Sequence, residues 1–397
     1  MLSTFSAEDS NFGNLNLSPL VTFDVSDYEL HDEVHQVIIG RKIGECNEKH
    51  VLSKDHIEPI VNRNWAAVVS WAVFSPEEVA NLRHKEGHNA LHYACLYLPP
   101  PRVIEILLFA SNELALSPNN DGEIPIHWAC LVSVPDEVLS ILLEASPNSG
   151  CICNKKGETA ISLLWDRYGR DLRKAVDSSV FAPPKAERIF WSTNMSGWRK
   201  ILLVLQASYR GSPPPMEGNQ ITSRYILHAA VSNSSCPLEL IQLILILYPD
   251  QIAEKNESGM LPLTIVAKAQ TKSNDPTRLM VIINALLDYF PSAARIQDKR
   301  QTLPLNLALQ SGKTWQQGVK SLFNAEPRAL LTRDASTKMF PFMIASAIND
   351  NDVDKRKVGN ETNLNSDDDS LLLGKLNTTY ELLLASPECI RTVTPNK

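Results

Sequence analysis

The chain has 397 residues, with 38 Lys+Arg against 45 Asp+Glu and a formal net charge of −7. That balance lacks the basic surplus that a phosphate-binding surface requires, so nucleic acid is excluded as an expected partner. With 16 glycines against 25 prolines, glycine-rich phosphate loops are disfavoured, and helices that start and stop at fixed points are favoured.

The segment Met1–Ser10 carries neither a basic stretch nor an apolar run, so no secretory leader is expected there. Residues 1–20 are rich in Ser and Asn without any period and are read as a disordered tail. Residues 21–62 resist assignment. Val21-Thr-Phe-Asp-Val25 alternates as a strand would, whereas the run around Val37–Ile39 is too short to separate helix from strand. From Trp65 to Pro76 the pattern is that of an apolar helix with a proline stop.

A repeat begins at Gly87-His-Asn-Ala-Leu-His-Tyr-Ala-Cys95 and returns 35 residues later as Gly122-Glu-Ile-Pro-Ile-His-Trp-Ala-Cys130. After another 35 residues comes the weaker copy Gly157-Glu-Thr-Ala-Ile161. Each copy leads into a second helix introduced by proline, as in Pro101–Leu108, Pro135–Leu143 and Pro237–Leu245. Apolar residues at i, i+3, i+4 and i+7 give each of these helices one buried stripe, which it can cover only by stacking on neighbours. Later copies decay through Thr222–Ala230, Gly259–Thr264, Leu303–Ala308 and Phe340–Ala345, so seven first helices are visible. Leu373–Leu384 reads as a final second helix, and residues 391–397 as a tail. Leu238–Leu247 is apolar nearly all round and is expected to lie buried between neighbours.

Two inserts are expected within units, at 166–196 and 349–370. The first carries Pro183-Pro184 and aromatics, and the second carries six aspartates and is read as disordered. Gly211-Ser-Pro-Pro-Pro-Met-Glu-Gly218 is a turn-rich connector, where stacking is expected to be strained and where unfolding is expected to lose its cooperativity first.

In its Gly-x-x-Pro/Ala-Leu/Ile-His-x-Ala copies and paired helices, the chain resembles ankyrin repeats over residues 63–390. The resemblance implies an all-α solenoid of about seven helix-turn-helix units with incomplete terminal units. The threonine position of the family motif holds Asn89, Ile124, Thr159, Tyr225, Leu261, Leu303 and Phe340, so the usual Thr–His hydrogen bond is expected to be mostly missing. The resemblance also implies a non-catalytic protein-interaction scaffold, with partner-facing residues around the turn glycines. These carry over to Lys85, Glu86 and His88; Asn120, Asp121 and Glu123; Lys155, Lys156 and Glu158; and Glu257, Ser258 and Met260. An alternative is an adaptor whose acidic segment 349–370 is the recognised element. An enzyme hidden in residues 1–62 and 166–197 is a remote third reading.

His92, Cys95, His127 and Cys130 repeat at matching positions and could suggest zinc. Zinc ligands must lie within about 4 Å of one another, whereas equivalent residues of packed helices stand about 8–10 Å apart. The expected roles are therefore structural: each histidine ties its turn to its helix, and each cysteine fills a small apolar site. His228 takes the same reading. Cys151-Ile-Cys153 lacks redox or zinc-knuckle spacing, and Asp367-Asp368-Asp369 lacks the spaced oxygens of a calcium loop. No hydrolase elbow, phosphate loop, kinase signature or zinc-protease helix occurs. No metal, cofactor or catalytic residue is expected. Trp65, Trp71, Trp128, Trp165 and Trp198 fall near predicted helices and are expected to pack between units. The longest apolar runs fall short of the roughly 20 residues of a membrane span. The 7 scattered cysteines fit a reducing compartment, so an intracellular monomer, cytoplasmic or nuclear, is expected.

Overall fold

The computed structural model describes residues 57–84, 86–178, 195–211, 213, 224–270, 276–347 and 366–387, all within the compact unit Val51–Lys397. Among the described residues there are 17 α-helices and no strand, in agreement with the expected all-α solenoid. Three of them lead in: α1 (Glu58–Val61), α2 (Trp65–Phe74) and α3 (Pro76–Asn81). Two full pairs follow, α4 (Ala90–Leu96) with α5 (Pro101–Ala110) and α6 (Pro125–Val132) with α7 (Asp136–Ala145). The third pairs α8 (Ala160–Ser178) with α9 (Met195–Arg210), and the fourth α10 (Ile226–Ser232) with α11 (Leu238–Leu247). The last three are α12 (Pro262–Lys268) with α13 (Pro276–Tyr289), α14 (Pro304–Gln310) with α15 (Val319–Ala325), and α16 (Pro341–Ser346) with α17 (Ser366–Ala385). First helices pack on first helices from α4 through α6 to α8 and from α10 through α12 and α14 to α16. Second helices pack on second from α5 through α7 to α9 and from α11 through α13 to α15, whereas at the third-to-fourth junction the second helix α9 packs on the first helix α10.

Proline sets many of the boundaries. Pro101, Pro125, Pro262, Pro304 and Pro341 each open a helix, where the missing N–H has no intrahelical partner to lose. Second helices end on one non-helical residue, such as Ser146, Tyr248, Phe290 or Glu326, and a proline then starts a short 3-10 turn at Pro147, Pro249, Pro291 or Pro327. These turns bring the chain back toward the next first helix and bury Ile252, Ala293, Ala294, Ala329 and Leu330 beneath it.

The core runs the length of the stack, from Ile60 and Val68 through Leu107, Leu143 and Leu164 to Leu286, Leu322 and Leu382. Trp65, Trp128, Trp165 and Trp198 are buried as expected, while Trp71 is half-buried with its indole N–H donating to Glu78 Oε2 at 3.3 Å. In α11, Leu240, Ile241, Leu243, Ile244, Leu245 and Leu247 are buried and Ile246 is exposed.

Several expectations change. Helix α1 lies in the stretch 21–62 that the sequence left unassigned. The insert expected at 166–196 opens as helix, because α8 continues to Ser178. Its extension is anchored on the preceding unit: Arg167 Nη1 donates to Leu131 O at 2.7 Å, and the Tyr168 hydroxyl meets Ser133 Oγ. The end of the segment read as disordered, 349–370, is also helical, since α17 starts at Ser366 with the three aspartates in its first turn. The tails 1–20 and 391–397, the stretch Val21–Val25 and the remainder of both inserts lie outside the described residues.

Most of the connector lies outside the described residues, and the helices that flank it are well packed. Helix α9 packs on α8, α7 and α10, and Trp198, Ile201, Leu202, Leu203, Val204 and Leu205 are all fully buried. Trp198 stacks on Tyr248 of the fourth unit at 6.5 Å, and Asn256 Nδ2 donates to Tyr209 OH at 2.7 Å. On the other side of α9, Lys200 Nζ lies 2.5 Å from Asp136 Oδ1, and Arg199 Nε lies 3.0 Å from Asp136 Oδ2.

Candidate partner-binding surface

Each first helix is entered through a tight turn whose construction is written in its residues. In the second unit, Asn119 Oδ1 accepts from the N–H groups of Asp121 and Glu123 at 2.9 and 2.8 Å. Asn154 does the same for Lys156 and Glu158, and Asp298 for Arg300 and Thr302. A side-chain oxygen thus replaces a backbone acceptor and closes the loop. Gly87 shows what the turn tip demands: its φ is +80°, and a Cβ there would lie 2.9 Å from Asn120 Oδ1.

Adjacent turns are joined to one another. Asn120 N donates to Glu86 O at 2.8 Å, and Lys155 N donates to Asp121 O at 2.9 Å. These bonds set the tips of the first three turns in register along one edge of the stack. Glu86, Asn120, Asp121, Lys155, Lys156, Glu257 and Ser258 are exposed there, and Glu158 and Met260 are half-buried. Lys85 lies outside the described residues.

Two expected contact residues are corrected. His88 is 6% exposed, because its ring packs edge-on against Trp128 at 4.7 Å and Tyr93 at 5.6 Å. Glu123 is 3% exposed, because its carboxylate accepts from Trp128 Nε1 at 2.8 Å and from Asn119 Nδ2 at 3.1 Å. Both side chains build the turn and are unavailable to a partner.

The histidines hold neighbouring units together. His92 Nδ1 accepts from Asn89 N at 3.1 Å, so its proton sits on Nε2, which donates to Glu123 O of the next unit at 2.9 Å. His127 repeats this with Ile124 N at 3.0 Å and Ile152 O at 3.0 Å. At the threonine position Asn89 does the threonine's work, its Oδ1 accepting from His92 N at 3.1 Å. In the third unit Ser162 replaces the histidine: Thr159 N donates to its Oγ at 2.8 Å. At Tyr225 the device lapses. That residue is left-handed, with φ 61°, and His228 keeps its contact to Met260 O at 3.2 Å while Nδ1 lacks a partner.

Burial fixes the charge state of these groups. His92 is lowered to about 3 by desolvation, and His127 and His228 are lowered for the same reason. Burial likewise raises Cys95, and pushes Cys130 and Cys236 up to about 12, leaving inert thiols. Lys313 is lowered to about 8 by burial, beside a cavity of about 200 Å³ that Thr337, Ile344 and Lys375 also line. Its ammonium is engaged by Ala267 O and Ser311 Oγ at 2.9 and 2.8 Å, which makes it a cap on the end of α12 rather than a free nucleophile.

Sequence reasoning missed one surface feature. Phe74 and Phe109 are 83% and 89% exposed at the ends of the successive second helices α2 and α5. For Phe109 the signal was present, since it lies outside the stripe of Val103, Ile104, Leu107 and Leu108, whereas α2 is apolar nearly all round and its sequence does not mark Phe74 as exposed.

No protein-family model matches the chain, and no curated protein matches it. Among solved structures, the chain is similar to the ankyrin repeat domain of Bcl-3, described as a unique member of the IkappaB protein family. The identity is 18%, the TM-score 0.28, and the match covers 69% of this chain and 100% of that one. Among the described residues no helix is long and apolar enough to cross a membrane.

Proposed function

We propose that the protein is a non-catalytic scaffold that captures a partner protein on the concave face and turns of its repeat stack. The observation that carries this reading is the register of the turns. Backbone bonds between Asn120 and Glu86 and between Lys155 and Asp121 hold exposed side chains of both signs at fixed spacing on a rigid support. Preorganised side chains lose little entropy on binding, and mixed charge suits a protein surface better than a polyanion. The contact set is Lys85, Glu86, Asn120, Asp121, Lys155, Lys156, Glu158, Glu257, Ser258 and Met260. The 7 cysteines are scattered along the sequence without a disulfide framework, which supports a reducing intracellular compartment.

The test is a triple charge reversal, Lys85→Glu with Lys155→Glu and Lys156→Glu, made in the full chain. Partners identified by mass spectrometry on the parent should be retained poorly by the variant, while helical content and melting temperature stay unchanged. Undiminished capture by the variant would remove the function from these turns. Loss of the same partners on deleting residues 349–370 instead would assign recognition to the acidic segment.

A further inference from the structure

The first turn differs from the others in the chemistry of its paired positions. His84 N donates to His88 O at 2.9 Å and Gly87 N donates to His84 O at 2.8 Å, so residues 84 and 88 face each other across a closed loop with Glu86 near its tip. The same closure joins Asn119 to Glu123 and Asn154 to Glu158 in the following turns. There the facing side chains bond to each other, Asn119 Nδ2 to Glu123 Oε2 at 3.1 Å and Asn154 Nδ2 to Glu158 Oε2 at 2.8 Å. In the first turn both facing positions are imidazoles, with a carboxylate between them.

We propose that His84, Glu86 and His88 bind one divalent transition-metal ion of the zinc class. One ligand atom from each of the three lies within 4.8 Å of the others, the sole such group of His, Cys, Asp and Glu among the described residues. His88 Nδ1 and Glu86 Oε2 are 3.5 Å apart. A tetrahedral ion with bonds of about 2.0–2.1 Å spaces its ligands about 3.3 Å apart, so the His88–Glu86 edge is nearly formed. Half-buried His84, whose Nδ1 accepts from Glu86 N at 3.4 Å and whose ring stacks on His88 at 6.1 Å, must draw its ligand atom in from within 4.8 Å to close the triangle. Two imidazoles and one carboxylate are borderline donors that suit zinc, cobalt(II) or nickel(II) and poorly suit calcium or magnesium. His88 is held by Trp128 and Tyr93, giving one rigid ligand, while half-buried His84 and exposed Glu86 leave the outer side open for water as the fourth ligand. The ion would clamp the turn whose Glu86 carbonyl receives the next turn's N–H.

The experiment uses the full chain carrying Cys151→Ser and Cys153→Ser, stripped with chelator and titrated with zinc by equilibrium dialysis, then with cobalt(II) followed by absorption. The expected result is one ion per chain, with cobalt bands of nitrogen and oxygen ligation. His84→Ala and Glu86→Gln should each weaken zinc binding by at least about tenfold, with far-ultraviolet dichroism unchanged. His88 is left intact because its packing against Trp128 makes its variants prone to misfold. Zinc affinity unaffected in a His84→Ala/Glu86→Gln double variant would overturn the proposal, as would a thiolate-to-cobalt charge-transfer band, or the absence of any binding at micromolar zinc.

Discussion

His92 carries two structural bonds through one tautomer, and that makes it sensitive to acid. In the unfolded chain histidine titrates near 6.5, whereas in the folded chain burial lowers His92 to about 3. Between those values the unfolded chain binds a proton that the folded chain refuses, so stability rises with pH across that window and is flat above it. Well below 6.5 the slope approaches about 1.4 kcal/mol per pH unit for His92, and the burial of His127 and His228 adds in the same direction. Urea unfolding at pH 5, 6 and 7 should therefore show falling stability on acidification, with His92→Gln shallower by one histidine's share. Identical pH dependence in parent and variant would show that His92 is not the titrating group. At neutral pH, His92→Ala should cost about 1–3 kcal/mol, since it strands the Glu123 carbonyl and the Asn89 N–H. The role of these histidines was legible because Leu/Ile-His recurs at one position of the repeat. The burial of His88 was not legible, because it depends on Trp128, a residue of the next unit that only the stack brings over the turn, whereas the partners that bury Glu123, Trp128 and Asn119, lie five and four residues away in its own unit.

Helix α9 is the element on which the middle of the stack depends, and two of its attachments make separate predictions. Asp136 at the start of α7 faces both Arg199 and Lys200, and all three side chains are largely buried. Removing the carboxylate leaves two cations together in a poorly hydrated site, so Asp136→Ala should destabilise by about 3–5 kcal/mol. Asp136→Asn should fall between parent and alanine. Chemical denaturation of the three proteins measures this directly, and an alanine variant within 1 kcal/mol of the parent would mean that water already screens the pair. In the same first turns of α9, Gly197 approaches Tyr168 so closely that an added Cβ would lie 2.5 Å from its ring. Gly197→Ala should shift α9 away from α8 and cost stability at about the 1–3 kcal/mol typical of overpacking. The second helices were legible from proline followed by an apolar stripe. The extension of α8 to Ser178 was not, because its charged residues imitate a solvated insert, and its packing comes from Arg167 and Tyr168 reaching back to Leu131 and Ser133.

At the scale of the whole molecule, the question is whether units on the two sides of α9 unfold together. A solenoid carries only neighbour contacts, so a weak interface uncouples its halves. The proline-rich connector near 213 points to such a weakness in the sequence, yet the interface beside it is filled. Trp198 is fully buried and reaches Tyr248, and Tyr209 receives Asn256 Nδ2. Connector composition describes the covalent path between units, whereas coupling depends on the surface that α9 presents to α10 and α11, which a strained linker does not weaken. Denaturation curves from a probe near Trp128 and one near Trp315 should therefore coincide in the parent. Trp198→Ala should cost about 3–5 kcal/mol, the range for truncating a large core aromatic. Because the lost contacts include those that bridge the third and fourth units, the two probes should then separate, with the weaker half unfolding first. A variant that loses stability while its two curves still coincide would place the coupling elsewhere along the α9 interface, at Tyr209 or in the apolar run from Ile201 to Leu205.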